Sequence, residues 1–142
     1  MKTFRLRIVS PDQVVYDDDV EFVQFTGMDG SYGILANHAP LMTATRPGPL
    51  RVRSANGETT MVVTEGFAEM AGNVLTIAAE AGERADDIDV ARARAAEQKA
   101  RDLLANRASM ASEDVLKAED ALRRAMVRQL VGQRAGGSAD RS

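Results

Sequence analysis

The hydrophobic period of this chain changes near residue 86, and that change limits its folding more than any other feature. Ahead of it, Phe4, Leu6 and Ile8 alternate with Arg5 and Arg7. Beyond it, apolar residues recur three and four positions apart, as in Val115, Ala118, Leu122, Ala125, Met126 and Leu130. Strand faces repeat every two residues and helix faces every 3.6, so the two halves belong to different kinds of structure. The expected architecture is an all-β N-terminal sandwich over residues 1–86, followed by an all-α antiparallel two-helix hairpin over 87–131.

Within the first part, Thr3–Ser10, Val20–Phe25, Gly33–Leu35, Leu41–Arg46, Leu50–Arg53, Thr59–Glu65, Phe67–Ala71 and Val74–Ala79 read as short strands. Pro47-Gly48-Pro49 makes a corner between two of them. Ala55-Asn56-Gly57-Glu58 carries the Asn-Gly signal of a type I′ hairpin turn. Many short strands with turns between them and no intervening helix indicate two antiparallel sheets packed face to face. The run Asp17-Asp18-Asp19 lacks the glycine and distal glutamate of a calcium loop and reads as a solvated turn.

Glu83-Arg84-Ala85-Asp86-Asp87 supplies the acidic start of the first helix, which extends from Ile88 to about Asn106. Its apolar face is Ile88, Ala91, Ala95, Ala96, Ala100, Leu103 and Leu104. Ser112 is the expected cap of the second helix and Gly132 its expected terminator, with 132–142 a disordered tail. Alanine dominates both stripes. At about 0.8 kcal/mol per buried methylene, such a seam holds far less firmly than a leucine seam.

Composition removes several classes of function. With no cysteine there is neither a disulfide framework nor a thiolate site, and His38 is the lone histidine, so no metal-ligand set or nucleophile–base pair is in evidence. Catalytic residues and metal sites are therefore expected to be absent. The amino terminus carries no signal-peptide pattern, and no apolar run nears the roughly 20 residues needed to cross a bilayer, so direct membrane insertion is not expected. Residues 1–86 hold 7 basic against 12 acidic side chains, a net −5, while residues 87–142 hold 11 against 9, a net +2. That mild basicity, in a chain with 4% aromatics, falls short of a nucleic-acid surface.

One stretch carries a family signature. Gly33-Ile34-Leu35-Ala36-Asn37-His38-Ala39-Pro40-Leu41-Met42-Thr43-Ala44, continuing to Pro47-Gly48-Pro49-Leu50-Arg51-Val52, resembles the G-I-L-x-x-H-A-P-L-x-T-A…P-G-x-L-R-[IV] pattern of the epsilon subunits of F-type rotary ATP synthases. These are the counterparts of the mitochondrial delta subunit. Ile8-Val9-Ser10-Pro11, Gly66-Phe67-Ala68-Glu69-Met70 and Asn73-Val74-Leu75-Thr76-Ile77 extend the similarity, which runs from about residue 3 to 131.

The resemblance implies a non-catalytic central-stalk subunit at the cytoplasmic face of the bacterial membrane. Its implied partners are the gamma subunit, the c-ring and, when the hairpin extends, the alpha/beta hexamer whose ATP hydrolysis it inhibits. It further implies that Ser10, His38, Ala39 and Thr43 face gamma, and that the loop Asp29-Gly30-Ser31-Tyr32-Gly33 meets the c-ring. Many members carry an acidic residue where this chain has Ser31.

Ile88-Asp89-Val90-Ala91-Arg92-Ala93 is similar to the I-D-x-x-R-A segment by which some bacterial members bind ATP, with Glu83, Arg124 and Arg128 as matching partners. No cofactor is required by this reading. Regulatory ATP would be held by arginines four apart on one helix face, without a glycine-rich loop and without need of magnesium. Lys99 departs from the pattern, where such members tend to carry arginine. Asp89 and Arg92 equally suit a capped helix with solvated arginines. The competing functional class is an autonomous ATP-sensing module on the same fold.

Overall fold

The computed structural model describes residues 2–140, with side chains described to residue 134. Two compact units divide between Arg84 and Ala85. The first holds ten strands: β1 (Phe4–Val9), β2 (Val14–Val20), β3 (Phe22–Gly27), β4 (Gly30–Leu35), β5 (Leu41–Thr45), β6 (Gly48–Ser54), β7 (Gly57–Val63), β8 (Gly66–Ala71), β9 (Val74–Ala79) and β10 (Gly82–Arg84). One sheet runs β5-β8-β9-β1-β2 and the other β10-β7-β6-β3, with β4 on the far side of β3. They are continuous at one corner, where Gly27 of β3 pairs with Thr45 of β5. All neighbours are antiparallel except β1 and β9.

Alternation explains the core. Phe4, Leu6 and Ile8 of β1 are buried with Leu75 and Ile77 of β9, Met70 of β8, Val23 and Phe25 of β3, and Leu50 and Val52 of β6. The Pro47 corner turns as the sequence suggests. A Cβ on Gly48 would run into the Thr26 side chain, so only glycine lets the strands cross this closely.

Three local expectations are corrected in this unit. Asp17-Asp18-Asp19 is part of β2, opposite Asp19↔Arg5 and Asp17↔Arg7 in β1. The arginines make the aspartates tolerable there: Arg5 Nε lies 2.8 Å from Asp17 Oδ1, and its guanidinium also reaches Asp19 at 3.4 Å. The hairpin turn between β6 and β7 is centred on Ala55-Asn56, and Gly57 alone takes a positive φ of 112°. Strand β10 was hidden by its polar composition; it pairs with β7 from Gly82↔Val63 to Arg84↔Met61.

The second unit opens with a 3-10 turn over Ala85–Asp87, then α1 (Val90–Leu104), a second 3-10 turn over Arg107–Ser109, and α2 (Ser112–Asp140). The helix start lies later than the acidic cluster suggests. Asp89 is the cap, its Oδ1 accepting from the Arg92 N–H at 3.0 Å. Ser112 is already helical, and the Ala111 carbonyl accepts from Asp114 and Val115 N–H.

Contacts between Arg107 and Glu119, Glu97 and Gln129, and Val90 and Gly132 show the helices antiparallel. The buried line differs from the stripes read in the sequence. Ala93, Ala100 and Leu104 of α1 and Ala118, Ala125 and Val131 of α2 are buried, whereas Leu103, Met126 and Leu130 are about half exposed. Small side chains make up most of the buried line, with Leu104 and Val131 the larger buried members.

Gly132 does not end α2. It lies inside the helix, because its bare Cα is packed against the start of α1, and the backbone continues helical to Asp140. The tail expected from residue 132 is thus helical through Asp140, and residues 141–142 lie outside the described residues.

Candidate binding surfaces

The residues matched to a gamma contact fall on two parts of the sandwich. Ser10 closes the turn between β1 and β2, its N–H donating to the Gln13 carbonyl at 2.9 Å and its Oγ at 3.3 Å. His38 and Ala39 sit in the exposed turn between β4 and β5. There the His38 N–H donates to Leu35 O, and its Nδ1 lies 2.8 Å from Ala39 O. A carbonyl can only accept, so in the neutral ring this contact keeps the proton on Nδ1 and leaves Nε2 as the acceptor. The turn is pinned by Asn73, whose Oδ1 accepts from Asn37 N–H at 2.7 Å while its Nδ2 donates to Thr3 O at 3.0 Å. Both asparagines take positive φ, 64° and 61°. Thr43 is half-buried, its hydroxyl turned onto the Ala44 carbonyl.

Sequence reasoning missed the residues between these points. Met42 is 69% exposed and Phe67 64% exposed. Register places Ala44 opposite Phe67, Phe67 opposite Ala78, and Ala78 beside Val9, next to Ser10. Met42 is Phe67's diagonal neighbour on the same outward face. An apolar strip therefore crosses β5, β8, β9 and β1, joining the Thr43 strand to the Ser10 turn. The signal was present in the alternation: Phe67 and Met42 fall out of phase with the buried Ala68, Met70 and Thr45.

The loop matched to a c-ring contact is the β3–β4 hairpin. Asp29, Gly30 and Ser31 are exposed at its tip, with Gly30 at φ 132°. Ser31 Oγ accepts from Gln24 Nε2 at 2.9 Å. Tyr32 does not belong to the tip, for its ring stacks on Phe25 at 5.4 Å and occupies the space above Gly27. Gly33 faces the Phe22 ring. The large side chain that the tip does present is Met28, 56% exposed.

Of the residues matched to nucleotide binding, Glu83 lies in β10, paired with Val62. In the second unit, Ala93 is buried in the helix seam, Ile88 is half-buried against α2, and Asp89 caps α1. Arg92 is exposed. Arg124 and Arg128, partly buried, are one turn apart on α2, and both are already engaged in interactions, as is Glu83. The unit therefore gathers Ile88 and Ala93 at the seam, with the two arginines of α2 available to a phosphate only by exchanging partners.

A polar clasp crosses the hairpin midway. Glu97 Oε2 accepts from Arg101 Nε at 2.7 Å, and Oε1 accepts from Gln129 Nε2 of α2 at 2.6 Å. These hydrogen bonds, Arg101 first, hold the Glu97 carboxyl below its ordinary value of 4.5. No helix among the described residues is long and apolar enough to cross a membrane.

Fold and surfaces together define a class: a small β-sandwich with an exposed apolar strip, followed by a two-helix hairpin closed on an alanine seam. Residues 3–85 match the model of the ATP synthase delta/epsilon chain β-sandwich domain, and residues 86–129 that of its long α-helix domain. The ATP synthase epsilon chain of Desulforamulus reducens is 43% identical over 127 residues, which cover 89% of this chain and 95% of that one. That of Nitratidesulfovibrio vulgaris is 40% identical over 131 residues, covering 92% and 96%. A chain in the cryo-EM structure of the Euglena gracilis mitochondrial ATP synthase (OSCP/F1/c-ring) shares the fold, with a TM-score of 0.73 at 22% identity, over 94% of this chain and 81% of that one. The chain belongs to the ATP synthase delta/epsilon family, as an epsilon subunit.

The Glu97 clasp sets a pH dependence. A carboxyl whose pKa is lowered by folding stabilises the folded hairpin above its ordinary pKa, and that contribution is lost as pH falls through the lowered value. Helical circular dichroism should therefore fall as the pH drops below the ordinary carboxyl value of 4.5 in the intact chain, and Glu97→Gln should flatten this fall. Parallel acid curves for the two proteins would contradict the assignment.

Proposed function

We propose that this subunit is a non-catalytic coupling element of the central stalk. Its sandwich docks on gamma through the Met42–Phe67–Ala78–Val9 strip and on the c-ring through the Met28–Ser31 tip. Its hairpin restrains ATP hydrolysis, and ATP held by Arg92, Arg124 and Arg128 stabilises the folded form. The complex it joins is membrane-associated, and the reading places this subunit peripherally on the cytoplasmic side.

The observation that carries the docking role is the apolar strip. Phe67 is a large aromatic on the outward face of the five-strand sheet, and Met42 adds a flexible apolar neighbour. Exposed apolar surface of this kind marks protein interaction sites. The strip also ends next in sequence to Ser10 and Thr43, two of the four positions that the family resemblance assigns to gamma. Phe67 contributes little to the sandwich core, so Phe67→Asp should leave the fold intact by circular dichroism. Its affinity for gamma should drop at least about tenfold, a loss of roughly 1.4 kcal/mol or more, as read by co-purification and titration. Unchanged association would move the gamma contact elsewhere.

The hairpin reading rests on two arginines one turn apart beside the seam that receives Ile88 and Ala93. Charge-assisted hydrogen bonds to a phosphate contribute about 1.5–3 kcal/mol each, enough for binding without a glycine-rich loop. Calorimetric titration of ATP should show binding to the intact chain, about tenfold or more weaker binding to Arg92→Ala and Arg124→Ala, and none to a chain ending at Asp86. The same truncation should raise hydrolysis by the assembled enzyme. Absence of binding at millimolar ATP would dispose of the nucleotide role, and an unchanged hydrolysis rate would dispose of the inhibitory one.

A further inference from the structure

Gly132 lies three residues past the segment matched by the family's helical model, in the middle of a helix where glycine is a poor choice. Its backbone is helical, so conformational freedom does not account for it. Space does. A Cβ at this position would meet Val90 Cγ2 at 2.8 Å and Ile88 Cγ2 at 3.0 Å, with Ile88 Cβ at 3.4 Å. Relief is costly at both neighbours. Each is β-branched, its Cγ2 methyl is carried directly on Cβ, and leaving the observed χ1 well strains a side chain whose rotamers are already restricted. Val90 is the first residue of α1, and Ile88 immediately precedes its cap, Asp89.

We propose that Gly132 is a positioning residue that closes the open end of the hairpin. It lets Ile88 and Val90 seat directly on α2, and it thereby fixes where the Ile88–Arg92 segment lies relative to Arg124 and Arg128. A side chain at 132 cannot be accommodated by the helices as they stand. The start of α1 must lift from α2, while the end nearer the interhelical turn, where Arg107 meets Glu119, is left in place. The consequence for ATP rests on the nucleotide reading above; the closure of the hairpin does not.

Two effects of Gly132→Ala have opposite signs, which makes the substitution decisive. Alanine is the better helix former, so propensity alone would strengthen α2. Packing alone would part the helices. The chain has no native cysteine, so paired labels can be placed cleanly. Ala91→Cys with Arg134→Cys reports the open end, and Asp102→Cys with Lys117→Cys reports the turn end; all four sites are exposed.

In the full-length chain, spin-label distances at the open end should lengthen in Gly132→Ala and further in Gly132→Val, while those at the turn end stay unchanged. Adding Val90→Ala to Gly132→Ala removes the nearest methyl and should bring the open-end distance back toward that of the parent. Open-end distances unchanged in both the alanine and valine variants would overturn the proposal. So would lengthening that Val90→Ala fails to reverse, since that would mean a general loss of structure. ATP titration of the same proteins separates the two levels. A parent chain that binds ATP and a Gly132→Ala variant that binds it more weakly, with affinity recovered by Val90→Ala, supports the positioning role. A parent chain that binds none defeats the nucleotide reading and leaves the distance result standing on its own.

Discussion

Methyl groups and a bare Cα supply most of the line along which α1 and α2 meet, Ala93 and Ala100 on one side and Ala118, Ala125 and Gly132 on the other, with Leu104 and Val131 as its larger members. Side chains this small favour a close approach of packed helices. The close approach explains what else the hairpin does. Met126 and Leu130 are left half exposed along an open groove with Leu104, Leu122 and Val127, while Leu103 is exposed on a separate surface beside Ala95 and Lys99. The close approach also brings Gln129 within reach of Glu97, and it presents Arg124 and Arg128 beside the seam.

Close packing is different from firm packing. Each alanine buries about one methyl, worth on the order of 0.8 kcal/mol, against roughly 1.5–3 kcal/mol for a fully buried leucine or isoleucine. The sandwich has Leu6, Ile8, Leu50, Met61, Met70, Leu75 and Ile77 fully buried. Among the described residues of the hairpin, only Leu104 and Val131 are larger apolar side chains that are buried. One unit is therefore built to keep its shape while it presents an apolar strip. The other is closed by contacts that a modest competing interaction can exceed. A regulatory element needs that difference, because a ligand shifts an equilibrium only when the two states lie within a few kcal/mol.

The sequence made most of this legible wherever one physical signal dominated. Alternation in Phe4–Ile8 and Leu50–Val52 located strands, the Pro47 corner located the sheet bend, and the switch of period located the join. The misses share a cause, namely a tertiary partner that no local pattern announces. Asp17–Asp19 looked like a loop until Arg5 and Arg7 were placed across from it. Gly132 looked like a stop signal until Ile88 and Val90 were placed against it. The strip of Met42 and Phe67 was visible only as side chains out of phase with the core, and register was needed to align the two strands. The proposed gamma, c-ring and nucleotide roles come only from family resemblance, since neither periodicity nor composition names a partner.

The two units are held with unequal strength, a leucine- and isoleucine-filled core against a seam built mostly of alanine and glycine. Native-state hydrogen exchange on the whole chain reads this directly. Amides in the middle of α1 and α2 should exchange together, through an opening of distinctly lower free energy than the slowest amides of β1, β8 and β9. Helix amides as strongly protected as those strands, with the same denaturant dependence, would mean that the seam is as strong as the core and would contradict the account.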